Sequence, residues 1–160
     1  MLFRSEVLAA AKAKGVELVL PVDCIASTMH DGSAPGTPKK VEQLSDAEMG
    51  VDIGPESVKL FASKLRDART VVWNGPMGIF EVEAFAAGTM GVAKAMSELK
   101  AQGAVTVVGG GDSVSAVQQS GLAERFSHLS TGGGASLEFL EGKVLPGVAA
   151  LEDEIGRAHV

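Results

Sequence analysis

The chain has 160 residues, 46% of them hydrophobic and 21% charged, with a formal net charge of −6. That size and composition suit one globular domain with its own core, and the acidic balance excludes the basic footprint of a nucleic-acid binder. No apolar run reaches the roughly 18 residues of a membrane span, no secretory signal opens the chain, and a single cysteine, Cys24, excludes an internal disulfide and fits a reducing compartment.

Both ends read as foreign. Codons for "LFRS" can be chosen so that their reverse complement encodes "EIGR". Met1–Ser5 and Glu154–Val160 are therefore expected to be translated sequencing adapter, with the gene truncated upstream and residues 6–153 native. Such scars stay outside fold reasoning, and His159 then has no role.

From there the chain alternates. "EVLAAAKAKG" predicts a helix ending at Gly15, and the apolar run "VELVLPVD" predicts a buried strand, with Cys24 beyond it packed in the core. "SAPGTPKK" reads as a loop with Lys39 and Lys40 solvated. After "GVDIG", Pro55 suits a first helical position and Glu56 the positive helix end. Val58, Phe61, Ala62 and Leu65 share one face of that helix. "TVVWNG" is a strand, with Trp73 in the core. The segment from Glu81 to Gln102 carries Val82, Phe85, Val92, Ala93, Met96 and Leu99 at the spacing of an amphipathic helix. "AVTVVGG" is a strand, Asp112 a plausible N-cap for the helix after it, and "FSHLS" a further strand before a helix from about Gly134. The rhythm β-α-β-α, with Val-rich strands, predicts an α/β fold: a three-layer, Rossmann-like parallel sheet with helices on both faces.

Two triple glycines stand out: Gly109–Gly111 in "VVGGGDS" and Gly132–Gly134 in "STGGGAS". Each lies between a strand and a helix start, where open parallel sheets bind ligands. Glycine lets backbone approach a bulky anion, and amides at a helix N-terminus favour phosphate. The plain alternative is that the glycines only allow tight turns. Neither loop has the spacing of a Walker A motif or of GxGxxG, so spacing alone points to a phosphate or nucleotide site and no further. Asp112 could hold Mg²⁺, which commonly takes one or two carboxylates plus substrate phosphates, and Ser113 could add a hydroxyl. Asn74 could donate to phosphate and Glu81 could accept ribose hydroxyls, although a turn residue and a helix-start acid are the bland readings. His30 and His128 have no partner at metal-ligand spacing, and Asp23 and Asp52 read as turn chemistry at strand borders.

Taken together, and in this order along the chain, "PVD", "MGVDIGPES", "WNGPMGIFE", "VVGGGDS" and "HLSTGGGASLEFLEGKVLPGV" resemble phosphoglycerate kinase, over roughly Val16 to Asp153. The likeness is to the end of that family's C-terminal, nucleotide-binding domain. The resemblance implies an incomplete domain of a two-domain, monomeric, cytoplasmic glycolytic kinase. That enzyme transfers the acyl phosphate of 1,3-bisphosphoglycerate to ADP with Mg²⁺, giving ATP and 3-phosphoglycerate. It further implies that Gly50, Val51, Pro76 and Ile79 lie on the adenine side and that Glu81 holds the ribose. Asn74, Gly110, Gly111 and Ser113 then meet the nucleotide phosphates, and Asp112 is the metal-nucleotide carboxylate. Gly132, Gly133 and Gly134 face the transferring phosphoryl group. The family's basic cluster for phosphoglycerate and its "GxKVSxK"-like segment are absent from this sequence. The chain alone is therefore expected to bind nucleotide at most and to be inactive. Two rivals remain: a stand-alone, non-catalytic nucleotide-binding module, and a partner-binding fragment.

Overall fold

A computed structural model describes residues 2–152. Helix α1 (Leu2–Ala13) is followed by strand β1 (Asp23–Ser27), strand β2 (Thr37–Lys40) and strand β3 (Met49–Ile53). Helix α2 (Pro55–Leu65), strand β4 (Thr70–Asn74), helix α3 (Ala87–Leu99) and strand β5 (Val105–Gly109) come next. Helix α4 (Gly111–Gln119), strand β6 (His128–Ser130), helix α5 (Gly133–Leu140) and helix α6 (Pro146–Glu152) complete the order. Of the ends read as foreign, Leu2–Ser5 open α1, whereas Met1 and Glu154–Val160 lie outside the described residues.

The fold is α/β with a parallel sheet, β4-β5-β6, running Thr70↔Val105 to Asn74↔Gly109 and Val107↔His128 to Gly109↔Ser130. Alternation along the strands sends side chains to two layers. Trp73 and Val108 pack with Val92, Ala93 and Met96 of α3, Val114 and Val117 of α4, and Phe126. On the other face a groove of about 490 Å³ is lined by Val72, Val107, Ala135, Phe139, Leu140 and Val148, so α5 and α6 cover that side only in part.

Four local expectations are corrected. The segment "SAPGTPKK" was expected to be loop throughout, but Thr37–Lys40 pairs antiparallel with β1. Pro38 is tolerated because β2 is an edge strand. With β3 also antiparallel to β1, this makes a second sheet of order β2-β1-β3 beside the predicted parallel one. "VELVLPVD" is a strand only from Asp23. Residues 16–22 run without regular pairing, and Val16, Leu18, Leu20 and Val22 are exposed. An apolar run becomes a strand only where a neighbour supplies its hydrogen bonds. Val19 instead lines a groove with Phe61, Leu65, Val71 and Met77, along the edge of β4 that has no partner strand among the described residues.

The helix expected over Glu81–Gln102 is broken. A 3₁₀ turn over Glu83–Phe85 precedes α3, and a second, Lys100–Gln102, ends it at Gly103 in the left-handed region. Phe85 is nevertheless fully buried, as its place in the apolar pattern required. Asp112 is not an N-cap: α4 starts at Gly111, the cap position is Gly110, and no side chain caps the helix. Gly110 has φ +92°, a value that side-chain-bearing residues rarely adopt, and this turns strand into helix within one residue.

Candidate functional site

Parallel strands β4, β5 and β6 end side by side, so the chain segments that follow them meet at one sheet end. There Asn74 (exposed), Gly110 and Gly133 converge. A methyl group on Gly133 would lie 2.7 Å from the Gly110 Cα and 2.9 Å from its nitrogen. One on Gly110 would lie 2.8 Å from Asn74 Oδ1. Gly133 is thus required by the close approach of the loops, while at Gly110, where the end of the Asn74 side chain can give way, glycine is required by the positive φ. Around Gly111 and Gly134 there is open space within 4 Å. Each glycine triplet therefore contains one residue that packs the loops together and one that borders an open mouth.

The helices that begin at this mouth have no side-chain cap. Among the described residues, neither α4 nor α5 receives one. First-turn amides have no intrahelical acceptor, and the helix dipole adds positive potential there. Gly110 N–H donates to Ser130 C=O at 2.9 Å, and Ser136 N–H to Gly132 C=O at 3.1 Å. The first bond ties the two loops together, and Gly133 N–H donates to Thr131 C=O at 3.1 Å, so the first-turn amides left to the mouth are those of α4 and, in α5, those after Gly133. Asp112 stands exposed in the first turn of α4.

The loop after β4 is held from three sides. Gly75 N–H donates to Ser113 Oγ at 2.7 Å, and Trp73 Nε1–H to Gly75 C=O at 2.6 Å. Met77 and Gly78 N–H both donate to Thr89 Oγ1, at 3.0 and 3.3 Å. Ile79 N–H donates to Val51 C=O at 2.9 Å, which ties the loop to β3. Pro76 and Ile79 are half-buried, Val51 is buried, and Glu81 is exposed at the loop's far end. Gly50 lies in the wall of an open pocket of about 400 Å³ with Leu20, Cys24, Leu44 and Met77.

Two aspartates read from sequence as turn residues have larger roles. Asp23 Oδ2 accepts Glu56 N–H at 2.9 Å, while Oδ1 accepts Ser57 N–H at 2.7 Å and Ser57 Oγ–H at 2.6 Å. Burial raises its pKa, but these bonds outweigh burial and hold the carboxyl below its usual range. Asp52 Oδ2 accepts Gly88 N–H at 2.5 Å and Oδ1 accepts Ile53 N–H at 2.9 Å. Here burial prevails and pushes the carboxyl up. Thr89 was not singled out in the sequence either. No local motif marks contacts between residues 34 or 36 apart in the chain. His30 and His128 are exposed, and no cluster of three or more His, Cys, Asp or Glu side chains able to hold a metal exists among the described residues. No described helix is long and apolar enough to cross a membrane.

The family model described as "Phosphoglycerate kinase" matches residues 3–143. Over 146 residues the chain is 58% identical to "Phosphoglycerate kinase, chloroplastic" of Volvox carteri, covering 91% of this chain and 32% of that one. It is 57% identical over 148 residues to "Phosphoglycerate kinase" of Synechococcus sp. (strain WH7803), covering 92% and 37%. Among solved structures, phosphoglycerate kinase from Coxiella burnetii superposes with a TM-score of 0.81 at 39% identity, over 88% of this chain and 36% of that one. The enzyme from Pyrococcus horikoshii OT3 gives 0.71 at 31% identity, over 94% and 38%. The chain thus spans about a third of the length of its curated relatives.

Proposed function

The chain belongs to the phosphoglycerate kinase family, and we propose that it is the nucleotide-binding end of such a kinase. The parent would be a monomer working in a reducing compartment, the cytoplasm. It would transfer a phosphoryl group between 1,3-bisphosphoglycerate and ADP, giving 3-phosphoglycerate and ATP. Residues 6–153 are the native part in this reading.

The observation that carries the proposal is the pair of uncapped, glycine-started helices, α4 and α5, opening side by side at the ends of parallel strands. Amides aimed at phosphate are a principal means of phosphoryl-transfer catalysis. Gly50, Val51, Pro76 and Ile79 flank the adenine, and Glu81 takes the ribose. Asn74, Gly110 and Gly111 form the phosphate side, with Ser113 buried behind them, and the turn of Gly132, Gly133 and Gly134 faces the transferring group.

Mg²⁺ fits the residues present. An exposed carboxylate, Asp112, stands at the mouth without the three protein ligands of a closed metal cage. This is the donor set of an ion held largely by phosphate oxygens and water. When bound, the ion would neutralise phosphate charge. The chain's own part is to aim backbone amides and present Asp112. Phosphoglycerate would enter only through the portion of the parent that this chain does not include, so the chain alone binds nucleotide and does not turn over.

Calorimetric titration with Mg-ADP tests this. Saturable binding is expected, weakened at least about tenfold by Asp112→Ala, since a charged-group contact contributes ~1.5–3 kcal/mol. Absence of binding by a folded chain would refute nucleotide binding by this chain.

A further inference from the structure

We infer that Ser113 is a positioning residue: its buried hydroxyl fastens the loop after β4 to the loop after β5 and sets the spacing between the nucleotide-side and phosphate-side backbones. The inference rests on the nucleotide reading above and deepens it, because it assigns Ser113 a role exercised through Gly75.

Ser113 is only 1% exposed, whereas its neighbours Gly111 and Asp112 are exposed at the mouth. Its Oγ accepts the Gly75 amide at 2.7 Å across 38 residues of sequence. The side chain therefore turns inward while the preceding residues of the same helical turn look outward. On its far side the loop is fixed by Thr89 Oγ1, itself fully buried, through Met77 and Gly78. Gly75 sits between these anchors at φ +97°. Its carbonyl accepts Trp73 Nε1–H, so both of its backbone polar groups are engaged by side chains. Without the Ser113 hydroxyl the Gly75 amide would be part-buried with no acceptor. Such a group relaxes by moving the backbone toward water. That movement would carry Asn74 away from Gly110.

Amide hydrogen exchange on the ¹⁵N-labelled chain reads the latch without nucleotide. In the wild type the Gly75 amide is expected to exchange at least about a hundredfold more slowly than an unstructured peptide. Ser113→Ala should speed Gly75 exchange about tenfold, the equivalent of one hydrogen bond, with Val107 and Val108 of β5 unchanged. Ser113→Thr, which keeps a hydroxyl, should retain the protection. Mg-ADP affinity should fall about tenfold in Ser113→Ala and recover in Ser113→Thr.

An unprotected Gly75 in the wild type overturns the latch, and so does unchanged Gly75 exchange in a folded Ser113→Ala. Weaker Mg-ADP binding with unchanged Gly75 exchange would make Ser113 a direct ligand instead. Should Ser113→Ala fail to fold, the wild type and Ser113→Thr still decide, since loss of protection in either sinks the proposal. Gly75 protection that depends on Ser113, in a chain that binds no Mg-ADP, keeps the latch and removes the nucleotide reading.

Discussion

Among the described residues, helices α2, α4 and α5 follow strands and α3 follows a 3₁₀ turn, and these four begin in two different ways. Helices α2 and α3 start against buried carboxylates from the antiparallel sheet, Asp23 of β1 and Asp52 of β3. Helices α4 and α5 start from glycine loops on the parallel sheet and receive no side-chain cap. The first pair resolves its unpaired amides inside the protein, and those ends are structural. The second pair leaves its first-turn amides to whatever enters the mouth, apart from Gly133 N–H, which donates to Thr131 C=O. The difference separates scaffold from site without reference to any ligand: the helix end that lacks an internal acceptor is the one available to an anion.

If the glycine loops are built by mutual approach, the largest effect should come from Gly133→Ala. Its methyl would meet Gly110 backbone at 2.7 and 2.9 Å, and backbone does not yield as a side chain does. A loss of about 3 kcal/mol in urea unfolding is expected. Gly134→Ala, one residue on and facing open space, should leave stability unchanged or raise it by up to about 1 kcal/mol. Equal costs at the two positions would erase the distinction between packing glycine and mouth glycine.

The buried caps come next. Asp23→Ala leaves the Glu56 and Ser57 amides without their acceptor and should cost about 2 kcal/mol. Its signature is early loss of exchange protection at the start of α2, with α4 unaffected. Equal loss in both helices would show that the two sheets unfold as one unit and that the capping contrast has no local consequence.

The smallest effect concerns acid. Lys39 of β2 grips Glu48 at 2.6 Å, and Ser45 adds a hydroxyl bond at 2.7 Å. The Lys39 bond, then Ser45, lowers the Glu48 pKa from 4.5 to about 2. A depressed carboxylate pKa stabilises the fold above the unfolded value, and that contribution is lost as pH falls through the folded one. Stability of the antiparallel sheet should therefore decline between about pH 4.5 and pH 2, and Asp23, also lowered, adds to the decline. Asp52 runs the other way: burial raises its pKa, so its charge costs stability above that pKa and protonation relieves the cost. Lys39→Met should make the acid decline shallower by slightly lowering stability at neutral pH, where the ion pair is formed, and not below about pH 2. An unchanged acid limb would remove Lys39–Glu48 as a determinant.

Much of this was readable beforehand. Pro55 and the Val58–Phe61–Leu65 stripe mark α2, the Val-rich runs mark β4 and β5, and glycine triplets mark the turns where both site loops lie. These are local signals, written in periodicity and backbone freedom. Others misled. Residues 16–22 have a strand's composition and no strand to pair with. Thr37–Lys40 has a loop's composition and pairs because β1 lies beside it. The spacing of Val82 and Phe85 belongs to a 3₁₀ turn that buries Phe85, and the helix waits for Asp52 to receive Gly88. Thr89 and Ser113 hold the loop after β4 from positions 12 and 38 residues away, distances at which sequence carries no mark.

By itself the sequence determined the family, the α/β alternation and the glycine loops, because each depends on residue type at close spacing. Only the tertiary structure decided which aspartates cap helices and which one stands at the mouth, and which glycine packs and which one opens. It also turned the Ser113 hydroxyl inward. Those outcomes depend on what a group meets across space. A carboxylate or an amide has the same chemistry everywhere in the chain until folding supplies, or withholds, its partner.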